Sequence, residues 1–175
     1  VERVKTIHLV RDTHRAGNGN GNSPFQDITF QRRTEKYFVA EIGEPRFNEL
    51  DSYSMVWNGH YINYFANTLQ MFGKHANLSA GLLEEYGFQI PLYSYFVKMR
   101  NPIFANDEMK VGVRPVSFRK GLIEFSHLIL VADEVRVTGN TVHAVVDSKT
   151  RSMVYPLPEL VRAVVDQIFA HFKDS

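Results

Sequence analysis

An α+β domain, one antiparallel sheet wrapped around a long helix, is the fold class the sequence predicts. Three observations carry it. Phe38, Ala40 and Ile42 alternate with Val39, Glu41 and Gly43 as a strand does, and an aromatic-rich helical stretch follows from Asn58 to Gly73. Four strand-like runs then succeed one another between Leu92 and Ser148. A last amphipathic stretch follows Pro156 and Pro158. One sheet wrapped around one buried helix is the economical packing of these parts.

The elements are justified in chain order. Residues 1–36 read as a flexible or weakly ordered extension and residues 37–175 as the folded domain. Gly17 to Asn22 spells GNGNGN, with backbone freedom and no packing content, and Arg11, Arg15, Arg32 and Arg33 make its surroundings basic. In the helix, Asn58 occupies an N-cap position and Gly73 a C-terminal stop. Between them Tyr61, Ile62, Phe65, Leu69 and Phe72 share one face, too apolar for a surface helix.

The later strands are LYSYFVKMR from Leu92, MKVGVRPVSF from Met109, GLIEFSHLILVA from Gly121 and NTVHAVVDS from Asn140. Turn signals at Arg119-Lys120-Gly121 and Thr138-Gly139-Asn140 join them as antiparallel hairpins. Ile123, Phe125, His127, Ile129 and Val131 share a strand face. The last helix, with proline tolerated in its first turn, carries a stripe of Leu160, Val161, Val164, Val165, Ile168, Phe169 and Phe172.

Composition removes several function classes. Hydrophobic residues at 44% and aromatics at 13% exclude a disordered chain. No apolar run is long enough to span a bilayer, and the opening residues do not read as a signal peptide. A net charge of +1 gives no electrostatic case for nucleic acid or an anionic membrane. The absence of cysteine removes disulfides, zinc–thiolate sites and thiol nucleophiles together. The seven histidines show no metal-ligand spacing with carboxylates, so no metal is expected. Ser117 lacks a G-x-S-x-G context, which rejects a serine hydrolase. A cytoplasmic domain is the default.

The stretch DSYSMVWNGHY, from Asp51 to Tyr61, carries the chemistry. A carboxylate there precedes a helix start by seven residues. A helix N-terminus offers unpaired N–H groups and partial positive charge, which suit a developing oxyanion. A neighbouring carboxylate activates water or attacks a carbonyl itself. Acyl transfer uses both parts.

With this motif and element order, the chain resembles hotdog-fold thioesterases of the 4-hydroxybenzoyl-CoA thioesterase type over about residues 36–172. Members carry an Asp, a short connection, an apolar V-Y or V-W pair and a Tyr early in the central helix. Asp51, Val56-Trp57 and Tyr61 match without a gap, and Asn58 matches the Asn closing an H-V-N-N pattern. The stretch MRNPIFANDEMKVGVR from Met99 resembles a second family segment. Ser54 stands where many members have Gly, Met55 where others have His or Ile, and His60 where Asn or Arg is common.

The resemblance implies hydrolysis of an acyl thioester, with coenzyme A or phosphopantetheine entering only as part of the substrate and no separate cofactor. It implies Asp51 as general base or nucleophile, and the backbone N–H of Asn58 or Gly59 as polariser of the carbonyl. Gly59 would admit the acyl chain. Trp57 and Tyr61 either line the acyl pocket with Val56 or belong to the core, and His60 is either a polar pocket residue or a surface histidine. Arg114, Arg119 and Lys120 either meet coenzyme A phosphates or form a solvated basic turn. Acyl carrier protein is a candidate partner, and a homodimer or homotetramer is expected because a monomer leaves a sheet edge open. Two rivals remain: a non-catalytic acyl-binding or carrier-interacting module, and a hotdog hydratase or dehydratase built on a His with a carboxylate.

Overall fold

The computed structural model describes residues 23–30, 33–76 and 80–172. The expectation for residues 1–22, including the GNGNGN run, lies outside them. The sheet begins with β1 (Phe25–Phe30) and β2 (Arg33–Gly43), so the domain boundary expected between residues 36 and 37 falls inside β2. After a turn region come α1 (Tyr61–His75), α2 (Ala80–Glu85), β3 (Phe88–Gln89) and β4 (Leu92–Met99). The chain continues through β5 (Met109–Arg119), β6 (Leu122–Val131), β7 (Glu134–Ala144), β8 (Val146–Asp147) and α3 (Glu159–Ala170). Six strands form one antiparallel sheet in the order β1-β2-β5-β6-β7-β4, and β3 pairs with β8.

Alternation decides which strand residues meet the helix. Phe38, Val113, Ile123 and Phe125 face one core with Phe72 of α1 and Val161, Val164, Val165 and Ile168 of α3. Nearer the start of α1, Tyr61, Tyr64 and Phe65 pack with Ile103, Met109, Val111, Ile129 and Val137. Of the α1 face expected to be buried, Tyr61, Phe65 and Phe72 are buried and Ile62 and Leu69 half-buried, while Tyr64 and Thr68 join the buried side. The opposite sheet face is not bare. Tyr37, Val39, Leu128 and Leu130 are buried there, with Ile28 of β1 packed against them. Phe30 even reaches the far edge of the sheet, where the Arg100 guanidinium lies 4.3 Å from its ring centroid.

Three local expectations are corrected. Asn58 does not cap the helix: a 3-10 turn at Asn58–His60 has Trp57 as its N-cap, without a side-chain cap bond. Gly73 does not stop α1, which runs on to His75. The turn expected at Thr138-Gly139-Asn140 is the middle of β7, and the real turn is Ala132-Asp133, both with left-handed φ of 50° and 61°. Gly139 has another purpose, since a Cβ there would stand 2.5 Å from Phe65 Cε2 and 2.6 Å from the Phe96 carbonyl oxygen. The turn at Lys120-Gly121 is as expected, with φ of 50° and 79°.

A polar line crosses the apolar interior. His127 is buried, stacks on Phe65 at 4.5 Å and lies 2.8 Å through Nε2 from Thr141 Oγ1. His143 Nε2 meets the same hydroxyl at 3.1 Å, and its Nδ1 lies 3.3 Å from the Ile90 carbonyl. A carbonyl only accepts, so His143 carries its proton on Nδ1 and its Nε2 accepts from Thr141. The Thr141 oxygen then accepts from His127 Nε2–H, which leaves His127 Nδ1 bare and without a partner. This pattern is the one for two neutral imidazoles, the form that burial favours at both rings. Burial pulls His127 down to about 3, with His143 contributing, and burial lowers His143 as well.

The sign of the pH effect follows. Below the unfolded value of about 6.5, the unfolded chain takes up protons that the fold refuses, so stability falls as pH drops from there towards 3. Each refused proton contributes a slope of about 1.4 kcal/mol per pH unit. Urea unfolding at pH 7.5 and 5.5 is expected to show this loss. His127→Gln, which keeps a donor for Thr141, is expected to flatten the slope.

Candidate active site

Asp51 sits in a tight turn. Leu50 and Val56 form an isolated antiparallel bridge, and Asp51 N–H donates to the Met55 carbonyl at 2.7 Å. Its Oδ1 accepts the N–H groups of Tyr53 at 2.8 Å and Met55 at 3.1 Å. Such side-chain bonding to backbone two or more residues on is what fits Asp to turns. It also fixes the carboxylate through a single oxygen. Ser54 has φ 58°, a conformation glycine adopts at little steric cost, so the residue departing from the family pattern holds a strained turn position.

The return limb of this turn leads straight into the helix. Trp57 N–H donates to the Glu49 carbonyl at 2.9 Å, and Val56 N–H to the Ile103 carbonyl at 2.9 Å. His60 N–H closes on the Trp57 carbonyl at 2.9 Å. Among the described residues, the N–H groups of Asn58 and Gly59 have no hydrogen-bond partner, as expected at the head of a helix. Asp51 and this helix start are therefore on adjoining limbs. The nearness shows in Tyr61: burial pushes its phenol up to about 12, with the Asp51 carboxylate adding to the rise.

The other expected residues divide clearly. Val56 and Tyr61 are core residues, 2% and 1% exposed. Trp57 is exposed, edge-on to His60 with ring centroids 5.7 Å apart. The space a Cβ would need at Gly59 is filled by the Trp57 indole, so this glycine admits the indole. His60 Nδ1 lies 3.3 Å from the Asn63 amide nitrogen.

Arg114 projects from the sheet face away from α1, pairs with Glu35 at 2.7 Å and lies near the Tyr37 ring. Arg119 and Lys120 are exposed at the other end of β5 from Met109, which packs with Val56 and Tyr61. At ~3.3 Å per residue, ten residues of strand put that turn roughly 33 Å away. Within one chain these three cations do not join Asp51.

Two residues at this site escaped the sequence reading. Glu49 Oε2 accepts the Tyr64 hydroxyl at 2.7 Å and the Arg46 N–H at 2.8 Å. Burial and this bond hold the Tyr64 phenol protonated well above its usual range. Glu49 thus ties the Asp51 turn to α1 through its side chain and to the return limb at Trp57 through its carbonyl. Its only sequence signal was the three-residue spacing of Tyr61 and Tyr64 opposite two carboxylates. Glu49→Ala is expected to lower stability by about 2 kcal/mol, as for a hydrogen bond to a charged group. Combined with Tyr64→Phe the loss should be less than additive, measured by urea unfolding of the double-mutant cycle.

A family model described as the thioesterase-like superfamily matches residues 45–165, from before the Asp51 turn into α3. The chain belongs to that superfamily. The solved structures similar to this thioesterase-like chain include a thioesterase complexed with coenzyme A and Zn from Thermus thermophilus, at 26% identity and TM-score 0.61. The match covers 75% of this chain and 91% of that one. A DHNA-CoA thioesterase from Staphylococcus aureus is similar at 20% identity and TM-score 0.66, over 74% of this chain and 89% of that one. A 1,4-dihydroxy-2-naphthoyl-CoA thioesterase from Synechocystis matches at 16% identity and TM-score 0.64, over 74% and 96% of the two chains. No curated protein sequence matches. The fold of this thioesterase-like chain is the hotdog arrangement that the resemblance implied. Among its described residues no helix is long and apolar enough to cross a membrane, and no group of three potential metal ligands occurs.

Proposed function

We propose that the chain hydrolyses an acyl thioester of coenzyme A to a free acid and a thiol. The observation that carries this reading is the junction of Asp51 with a helix start whose first two N–H groups are unpartnered, in a superfamily of thioesterases. The substrate carbonyl oxygen rests on the N–H of Asn58 or Gly59, where charge developing in the tetrahedral state is stabilised. Asp51, held through Oδ1, presents its other oxygen to water and takes a proton as the water oxygen attacks. The C–S bond then breaks, and the departing thiolate recovers that proton.

Thiol release from acyl-CoA substrates of several chain lengths, with carrier-protein thioesters alongside, tests the reading. No release from any of them would sink it. Single turnover in ¹⁸O-water separates attack by water from attack by Asp51. Label enters only the acid in the first case, and in the second enters the Asp51 carboxylate when water opens the mixed anhydride at the Asp51 carbon.

The same reading includes a homodimer. β4 is a sheet edge, and Tyr93, Tyr95 and Phe96 on it are 57–68% exposed. Long apolar edges of this kind invite pairing with another strand. A second copy pairing β4 to β4 would continue the sheet across the molecule. Sedimentation equilibrium is expected to give a dimer, and Tyr95→Pro to give a monomer: the Phe96 carbonyl faces β7, so its neighbour Tyr95 turns its N–H to the open side, where proline removes it.

A further inference from the structure

A half-open cavity of about 740 Å³ lies against the C-terminal half of α1, bordered on other sides by α2, β6, β7 and α3. Its size falls within the ~300–1,000 Å³ of small-molecule sites. Its walls are apolar, built from Leu69, Phe72, Ile90, Ile123, Phe125 and Ile168. Polar groups Gln70, Lys74, Glu84 and Gln89 also border it, and Lys74 and Glu84 are exposed. One titratable residue stands in the apolar part, His143. Its two nitrogens are both occupied, by the Ile90 carbonyl and the Thr141 hydroxyl, and its ring lies edge-on to Phe125. Even this wall therefore asks nothing polar of a ligand.

The cavity shares α1 with the Asp51 site. Ala66, its lining residue nearest the helix start, stands seven residues beyond Gly59. At ~1.5 Å per residue that is about 10 Å of helix. Asn63, Ala66 and Gln70 form an exposed flank of α1 leading there. On the neighbouring edge, Tyr95 of β4 pairs with Thr141 and so shares the sheet face turned to α1.

We propose that this cavity receives the tail of the acyl group, and that the substrate class is a flexible aliphatic acyl thioester rather than a hydroxylated aromatic one. The inference rests on the thioesterase reading for the placement of the carbonyl. An aliphatic chain is long enough to run from the helix start along the flank and needs no hydrogen-bond partner at its end. A hydroxyaryl group is too short to reach the cavity from the helix start, and its hydroxyl would be desolvated among groups already paired.

Kinetics on butanoyl-, dodecanoyl- and 4-hydroxybenzoyl-CoA test this, in the wild type and in two variants that fill the space. Gly73→Leu adds a side chain at the wall with a better helix former. Ala66→Phe narrows the entrance from an exposed position. Dodecanoyl-CoA is expected to be preferred by the wild type. Its kcat/KM relative to that for butanoyl-CoA is expected to fall by roughly tenfold or more in each variant. Preference for 4-hydroxybenzoyl-CoA, or a ratio that neither variant moves, overturns the proposal.

Dodecanoate binding, followed by calorimetry, separates the two readings. If no substrate is hydrolysed but dodecanoate binds and Gly73→Leu weakens it, the thioesterase reading fails and the cavity assignment stands. If dodecanoate does not bind, the cavity assignment fails whatever the activity.

Discussion

Asp51→Asn is expected to lower kcat for thioester hydrolysis by about 10²–10⁴-fold, the range for loss of a positioned general base. Asparagine suits this test better than alanine. Its Oδ1 still accepts the Tyr53 and Met55 N–H groups that shape the turn, so the limb leading to Asn58 keeps its path. Only the charge and the proton-accepting oxygen are lost. Alanine removes the turn bonds too and confounds a chemical effect with a displaced helix start. The Asn variant is therefore expected to unfold at the same urea concentration as the wild type while losing turnover. A variant with wild-type kcat refutes the role given to Asp51. Tyr61 supplies an independent reading, because removing the negative charge beside it lowers its phenol from about 12. Ultraviolet titration of the tyrosines measures that change.

The largest effect on stability is expected where Phe65, His127 and Gly139 meet. Phe65 is fully buried, stacks on His127 at 4.5 Å and covers the bare face of Gly139. Phe65→Ala is expected to cost about 3–5 kcal/mol, since it leaves a cavity between helix and sheet. Gly139→Ala is expected to cost about 1–3 kcal/mol for the opposite reason, overpacking. One of its two clashes is with the Phe96 backbone carbonyl, which belongs to a paired strand and cannot rotate away. In the double variant the smaller ring-site side chain relieves the other clash. The combined loss should then fall below the sum of the single ones, by urea unfolding. Strict additivity would contradict the packing described.

These two sites also mark what a sequence does and does not disclose. Strands and helices announce themselves by period, so β4, β5, β6, α1 and α3 were each legible from their apolar residues. The Asp51 to Tyr61 spacing was legible because a tight turn feeding a helix is a local device. Gly139 was misread because glycine serves two ends, a left-handed turn or a close approach, and only the ring of Phe65 from a distant helix tells them apart. The real turn at Ala132-Asp133 has no glycine to signal it. β1 was hidden by basic surroundings, and what holds it is remote in sequence: Phe25 meets Phe172, and Phe30 meets Arg100. Glu49 was silent for the same reason, as its partner Tyr64 lies fifteen residues on, across a turn.

Trp57 is the one tryptophan of the chain, and its indole lies over Gly59 at the helix start, half open to solvent. Intrinsic emission from this protein is therefore a signal from a single place, within two residues of the N–H groups assigned to the carbonyl. A thioester settling there changes the polarity around the indole, and a shift in emission maximum reports occupancy without any label. Stopped-flow fluorescence on the turnover-silent Asp51→Asn protein would thus time substrate arrival separately from the chemistry that follows.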